Sequence, residues 1–389
     1  MKISTPGFYT ANQQTWLSAR IQSDKYPQAF PRELWFSVRG WEQESYSTLA
    51  DPFLIGMLPI AMCIGEDLHV EGSVSARLAH GIDQYQAVLS AWWPAFFKQT
   101  PIHYAHVSNR EHDPRPTGVG CTFSGGADSF YSVYKSLAPH QAIDSFQLTH
   151  ALMINGFDQV ADFENDGGSR QMYRVYQPIL EKSGVQLLML DSNLKHFRDT
   201  VFRKPELVRS YGSALGACAH VCAKLFGRFS LASHGTYRYE DLIPTGSHTV
   251  LDPHLSTDQL QIMHTGANAS RSEKIEFLAN IPGVQKGLRV CIEELSFDPH
   301  TGGVSNCCRC GKCLRTLVTL DLLGKVDDFP TFPVKSQDMP GLYRPEILSI
   351  SHTMFLQDNL RLARRIGHQK WIDVLEQAML IKSGKNSPG

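Results

Sequence analysis

The feature that most constrains this chain is an alternation between Gly120 and Ala232, where short apolar runs are separated by longer stretches with helical spacing. Runs at 120–123, 148–154, 185–190 and 230–232 read as strands, and segments near 128–136, 168–182 and 211–226 read as helices between them. Strands joined by crossover helices lie side by side in parallel, and such a sheet is buried on both faces. The expected fold class is therefore α/β, with a parallel sheet whose ligands sit at the carboxyl ends of the strands. Those ends are the glycine turn after Phe123, Asp191 to Asn193, and Ser233-His234-Gly235-Thr236.

The flanks read differently. Residues 1–115 carry strand patterns at 34–38, 68–70 and 102–107, with a helix presenting Leu78, Ile82, Tyr85, Leu89 and Trp92 to a small sheet. They are expected to form an α+β accessory domain, joined by the polar, proline-bearing linker 108–117 to an α/β domain over 116–250. From 251 to 389 the pattern is helical, with candidates at 272–278, 314–323, 360–366 and 371–380. Lys plus Arg total 37 against 38 for Asp plus Glu, so no strong field favours nucleic acid as a partner. The oily run 53–64 is interrupted by Gly56 and Pro59 and falls short of the roughly 18 apolar residues of a membrane span. The opening MKISTPGFYTANQQ has no apolar signal core, and four of nine cysteines fall within seven residues. That clustering suits thiolates on a metal in a reducing compartment, so a cytoplasmic protein is expected.

Ser124-Gly125-Gly126-Ala127-Asp128-Ser129 lies where a strand gives way to a helix. Glycines let the backbone approach a ligand closely, and the free amides of a helix start point at an anion. Ser124 and Ser129 add hydroxyl donors, whereas Asp128 calls for a magnesium ion or a capping role, since a bare carboxylate repels phosphate. A tight turn with an ordinary cap is the competing reading. Neither GxGxxG nor GxxxxGK[ST] is present, which disfavours nicotinamide enzymes and the common switch nucleotidases. Ser233, His234 and Gly235 are candidates for ribose or phosphate contact, Met153 or Ile154 for an adenine wall, and Asp191 and Asn193 for substrate contact. The loop 244–253 offers Ser247, His248 and Asp252, while Arg271 and Lys274 are candidates for a phosphate or a carboxylate that nothing local raises above a solvated helix face. No GxSxG elbow exists, and no dedicated general base is identifiable.

Cys307, Cys310 and Cys313 form a CxxCxxC series, and Cys291 is the nearby fourth soft ligand for a closed tetrahedral zinc site. Cys308 is the odd residue; it replaces a neighbour as ligand, or the group is an iron-sulfur cluster, in the two alternatives. Arg309, Lys312 and Arg315 recur between the cysteines and either face a nucleotide or balance thiolate charge.

SGGADS closely resembles the SGGxDS motif of the PP-loop (N-type) ATP pyrophosphatase family. One upstream cysteine followed by CxxCxxC resembles its 7-cyano-7-deazaguanine synthase branch. Over residues 118–325 the resemblance implies an adenine nucleotide alpha hydrolase-like (HUP) sheet binding ATP and Mg2+ through Ser124, Gly125, Gly126, Asp128 and Ser129. It implies Zn2+ on Cys291, Cys307, Cys310 and Cys313, with Asp128, Lys312 and Arg315 as catalytic candidates. The implied activity is an AMP-forming ligase that adenylates a small-molecule carboxylate, such as 7-carboxy-7-deazaguanine, and passes it to ammonia or an amine. Departures from the branch are the extra N-terminal residues, the Cys307-Cys308 pair and the SHTVLDP loop. They leave a protein or peptide acceptor, sulfur transfer to tRNA and a non-catalytic nucleotide-binding protein as alternatives, with a homodimer as the assembly left open.

Overall fold

In the computed structural model, which describes residues 1–157, 167–293 and 295–384, eleven strands form one sheet in a mixed α/β fold. They are β1 (Lys2–Ile3), β2 (Gly7–Ala11), β3 (Gln14–Gln22), β4 (Glu33–Val38), β5 (Leu68–Ser75) and β6 (Ile102–Ser108). There follow β7 (Gly118–Thr122), β8 (His150–Asn155), β9 (Gln186–Ser192), β10 (Phe226–Ala232) and β11 (Gln261–Thr265). The order is β11-β10-β7-β8-β9-β4-β3-β1-β5-β6, with β2 also on β3. From β11 to β9 every pairing is parallel.

The chain runs from β7 outward to β8 and β9, then crosses back over β7 to lay down β10 and β11. Successive connections therefore diverge at the carboxyl ends of β7 and β10, opening a crevice that the sheet itself cannot fill. The glycine turn follows β7 and Ser233 follows β10, so both line that crevice.

The N-terminal strands appear where expected, but they extend the main sheet rather than closing a small sheet of their own. β4 pairs antiparallel with β9, with Ser37 opposite Asp191. Asn193 staples the seam: its amide oxygen accepts from Trp35 N at 2.9 Å and its amide nitrogen donates to Glu33 O at 2.8 Å. Its polar ends are thus committed to backbone, not to a substrate.

The oily run 53–64 is the helix Asp51–Ile64, apolar on all sides because it is covered on all sides. Among its partners is the small-residue helix Tyr211–Val221, and a Cβ built on Gly56 would lie 3.3 Å from Leu194 and 3.6 Å from Ala217. Together these fill the core on one sheet face with Phe36, Leu54, Leu190 and Phe229. The other face buries Phe123, Phe130, Tyr176, Ile275, Leu317 and Trp371 under the C-terminal helices.

Two expectations are corrected here. The segment after Asp252 is not purely helical: β11 adds an edge strand beside β10, a five-residue element too short and too polar (QIMHT) to show periodicity. The helix that starts at Tyr211 ends at Val221 rather than Phe226, which already begins β10. No described helix is long and apolar enough to cross a membrane.

Phe36 is fully buried at the β4–β9 seam, edge-on to Phe53 at 5.4 Å. Phe36→Ala is expected to cost about 3–5 kcal/mol in urea denaturation. A loss below about 1 kcal/mol would mean that the seam is not part of the cooperative core.

Candidate functional site

The helix Ala127–Lys135 begins at Gly126, whose extended backbone (φ −84°, ψ 167°) turns the chain out of β7 with no side-chain cap. Consequently the amides of Gly125, Gly126, Ala127 and Asp128 have no acceptor among the described residues. Unpaired donors at a helix start attract an anion. The turn is held from within: Ser129 Oγ donates to Gly126 O at 3.0 Å and accepts from Ser124 N at 3.2 Å.

Gly125 has φ +72°, and a Cβ there would fall 1.9 Å from Tyr176 Oη, so both conformation and space require glycine. The turn is also tied to the C-terminal region, because Arg289 N donates to Gly125 O at 2.9 Å.

A cleft of about 160 Å³ opens beside this turn. Ser124, Gly126, Asp128 and Ser129 form one side, and Met153, Ile154 and Asn155 from the end of β8 another. Arg271, Arg289, Cys291 and Lys312 close it. Arg271 and Arg289 each keep a buried Nε without a hydrogen-bond partner. Cationic donors thus converge with the free amides on one concave surface. Of the residues singled out in the sequence, Ser124, Gly126, Asp128, Ser129, Met153, Cys291 and Lys312 meet here. Gly125 supports the turn from behind.

Asp128 is neither a cap nor an open metal ligand. Arg271 Nη2 reaches its Oδ2 at 2.6 Å, and Lys274 Nζ its Oδ1 at 2.9 Å. Burial alone would raise this carboxyl, but Arg271 and Lys274 outweigh it and hold Asp128 ionised, well below the usual carboxylate range. Lys274, with its side chain 1% exposed, is pushed downward by burial. It keeps its proton because Nζ donates both to Asp128 and, at 2.5 Å, to Ser233 O. This corrects the reading of Arg271 and Lys274 as a solvated face. Their signal lay in the helix periodicity: Arg271, Lys274, Ile275 and Leu278 share one stripe, and Ile275 and Leu278 are core. Ser270 and Glu273 form the capping box that starts this helix.

Other candidates fall elsewhere. Arg315 is buried with its guanidinium 3.4 Å from the Phe355 ring centre and does not line the cleft. Asp191 is held by Arg39 (Nε to Oδ2, 3.1 Å) and by Asn155 (Nδ2 to Oδ1, 2.8 Å), so it orients the cleft residue Asn155 rather than meeting a ligand. Ser233, His234 and Gly235 line a second, smaller cavity behind Lys274 together with Ser247, His248 and His264.

The ligand sulfurs of Cys291, Cys307, Cys310 and Cys313 all lie within 4.8 Å of one another, a cluster able to hold a metal ion. The Cys310–Cys313 and Cys307–Cys313 separations are 3.5 and 3.8 Å. Cys308, at φ +56°, turns its thiol to Asn306 O and stands outside the group. Asn306 ties the cluster's two segments together, accepting from Val290 N and Cys291 N and donating to Leu288 O and Thr331 O.

Comparisons with protein-family models, with curated proteins and with solved structures return no match.

Asp128→Asn strips Lys274 and Arg271 of their counter-charge and is expected to cost about 3 kcal/mol in urea denaturation at pH 7. Because the folded carboxyl titrates below its unfolded value of about 3.9, its contribution is present above that pH and lost on acidification. The gap between wild type and variant should therefore narrow by pH 3, and an equal gap at both pH values would refute the assignment.

Proposed function

We propose that this protein is an AMP-forming ATP pyrophosphatase of the PP-loop type, which activates a carboxylic acid by adenylation and hands it to a nitrogen nucleophile. One observation carries the reading. Free amides of a glycine-turn helix start share a cleft with Arg271, Arg289 and Lys312, at the point where the strand order reverses. Polyphosphate is the ligand class that such a surface suits. The parallel order β11-β10-β7-β8-β9 agrees with the HUP-like sheet of that family.

In this reading the Gly125 to Asp128 amides and the Ser124 hydroxyl hold the leaving pyrophosphate. Arg271 and Arg289 stabilise charge that accumulates on it, and Lys312 approaches from the cluster side. ATP supplies the leaving group. Met153 and Ile154 offer an apolar wall to the base. The carboxyl substrate is a heteroaromatic acid such as 7-carboxy-7-deazaguanine.

Asp128 does not fit the role of magnesium ligand, because a divalent ion would have to compete with two cations already at hydrogen-bond distance. Magnesium fits better as an ion carried on the phosphates. For the cysteine cluster zinc fits: Zn–S bonds of about 2.3 Å set tetrahedral sulfurs about 3.8 Å apart, and the Cys307–Cys313 and Cys310–Cys313 separations of 3.8 and 3.5 Å lie at and just below that value. Four thiolates leave no open position, so the ion's work is to fix Cys291 and Arg289 at the cleft.

Incubation with Mg-ATP and a panel of heteroaromatic acids should yield AMP and pyrophosphate in an acid-dependent manner. Arg289→Ala should lower that turnover about 100-fold. Tight ATP binding without either product across the panel would leave a nucleotide-binding protein and end the ligase reading. Separately, metal analysis should find one zinc per chain, abolished in Cys310→Ser. Iron, or no metal in the native protein, would defeat the zinc assignment.

A further inference from the structure

β4 pairs with β9 only as far as Val38 opposite Leu190, and once Arg39 N has reached Met189 O the chain turns away. Gly40, at φ +75°, makes that turn, and Trp41 N closes it on Val38 O at 3.1 Å. From Met189 back to Gln186, β9 therefore keeps β8 on one side and, among the described residues, pairs with no strand on the other. A groove of about 470 Å³ occupies the gap, a volume within the roughly 300–1,000 Å³ of small-molecule sites.

The groove is continuous with the cleft at one residue, because Met189 lines both. From Met189 to Gln186 the strand leads away from the cleft by about 10 Å. The helix Gly167–Glu181 forms the facing bank and leads away with it: Ser169 lines the cleft, whereas Arg170, Tyr173 and Arg174 line the groove. Arg39 stands at the junction, bonded to Ser169 Oγ at 3.3 Å and to both carboxylate oxygens of Asp191.

The lining sorts by character. Leu187 and Met189 give an apolar floor, Trp41 and Tyr173 give two rings, and Arg170 and Arg174 stand one helical turn apart on the rim. Arg39 is spent on Asp191, but Arg174 is exposed and has no hydrogen bond or ion pair among the described residues. Guanidinium groups repel a protonated amine, so the groove suits the acid partner of the reaction. The carboxylate to be activated must reach the amides of the cleft, at the Met189 end. Arg174, at the far end, then answers a second negative charge on the same molecule, about 10 Å from the first.

We propose that the groove is the subsite for the acyl substrate and that this substrate is a nucleotide: its heteroaromatic ring lies against Trp41 and Tyr173, and Arg174 binds its 5′-phosphate. Resting on the ligase reading above, this assignment narrows the acid from a free heterocycle to a nucleoside monophosphate that bears a ring carboxyl. It also gives the N-terminal strands a task, since Trp41 and the Gly40 turn lie outside the residues 118–325 that carry the resemblance.

Binding and chemistry are read separately on the full-length protein. Calorimetric titration without ATP compares 7-carboxy-7-deazaguanosine 5′-monophosphate, its nucleoside and the free base. Acid-dependent exchange of labelled pyrophosphate into ATP reads adenylation of the same three acids. In the wild type the monophosphate should bind at least about 30-fold more tightly than either unphosphorylated acid, and its kcat/KM in exchange should lead by a similar factor. Arg174→Ala should cut both preferences to below about threefold, and Arg174→Lys, which keeps the charge without the planar fork, should fall between. Trp41→Ala should weaken all three acids by about tenfold or more.

Equal affinities for the three acids, or a preference that survives Arg174→Ala, would overturn the nucleotide assignment, while exchange with the free base would leave the ligase reading standing. Tighter binding of oligothymidylate than of the monophosphate would likewise overturn it in favour of a nucleic-acid surface. Arg174-dependent binding of the monophosphate with no exchange for any acid would instead overturn the ligase reading, and the substrate role of the groove with it.

Discussion

Lys274 is the interaction on which the rest of the site depends. Its Nζ joins Asp128 of the glycine turn to Ser233 O at the end of β10, so one buried ammonium fastens the two loops that diverge at the strand reversal. Parallel strands are held together by their ladders only as far as the last paired residue; beyond it the loops need their own restraints. Here the restraint is ionic, buried and three-way, with Arg271 adding a second cation to the same carboxylate. Such a network is of little net value unless every member is satisfied. Asp128 is satisfied by two donors and Lys274 by two acceptors, which makes that pair rigid, while Arg271 keeps its Nε unpartnered beside the cleft. That rigidity holds the free amides of the turn in place without a ligand, the condition under which they act by preorganisation rather than by induced ordering.

A second restraint acts from the opposite wall. The segment from Leu288 to Cys291 has no sheet to lean on, yet it supplies Arg289 and Cys291 to the cleft. Asn306 accepts from two of its amides and donates to one of its carbonyls, while Arg289 N is fixed on Gly125 O. A metal on the four thiols would add a covalent-strength tie between this segment and the start of the helix Gly311–Leu322, which carries Lys312. The cluster and the glycine turn are thus two halves of one support, and Arg289 is the residue where they touch. The N-terminal strands contribute a third, weaker tie: Arg39 holds Asp191, and Asp191 holds Asn155 at the cleft.

How much of this the sequence disclosed follows from whether the signal is local. The glycine turn and the four cysteines are legible because their residue types and spacing carry the chemistry. The strand-helix alternation from Gly120 to Ala232 is legible because burial on two faces writes continuous apolar runs. Lys274 was readable but outweighed: a lysine on an inward stripe looks like noise until its carboxylate, 146 positions away, is known. Asn193 misled in the opposite sense, since a polar residue at a strand end suggests a ligand, whereas its real partners are backbone groups of β4. β11 and the Asp252–His264 contact lacked any local mark. Five residues give too little periodicity for a strand, and a dyad twelve residues apart is made by the turn between them rather than by a motif.

The two cavities differ in the charge of their linings. The cleft of about 160 Å³ is open, cationic and apolar on one side, suited to a nucleotide that enters from solvent. The void of about 20 Å³ is lined by His234, His248 and His264, by hydroxyls such as Ser233 and Ser247, and by the apolar Leu242, Ile243 and Met354, with Asp252 bonded behind His264. Burial pushes His234 down to about 4, so at neutral pH that ring carries no charge. The second cavity, lined by Ser233 but by no arginine or lysine, therefore lacks the cationic lining of the first.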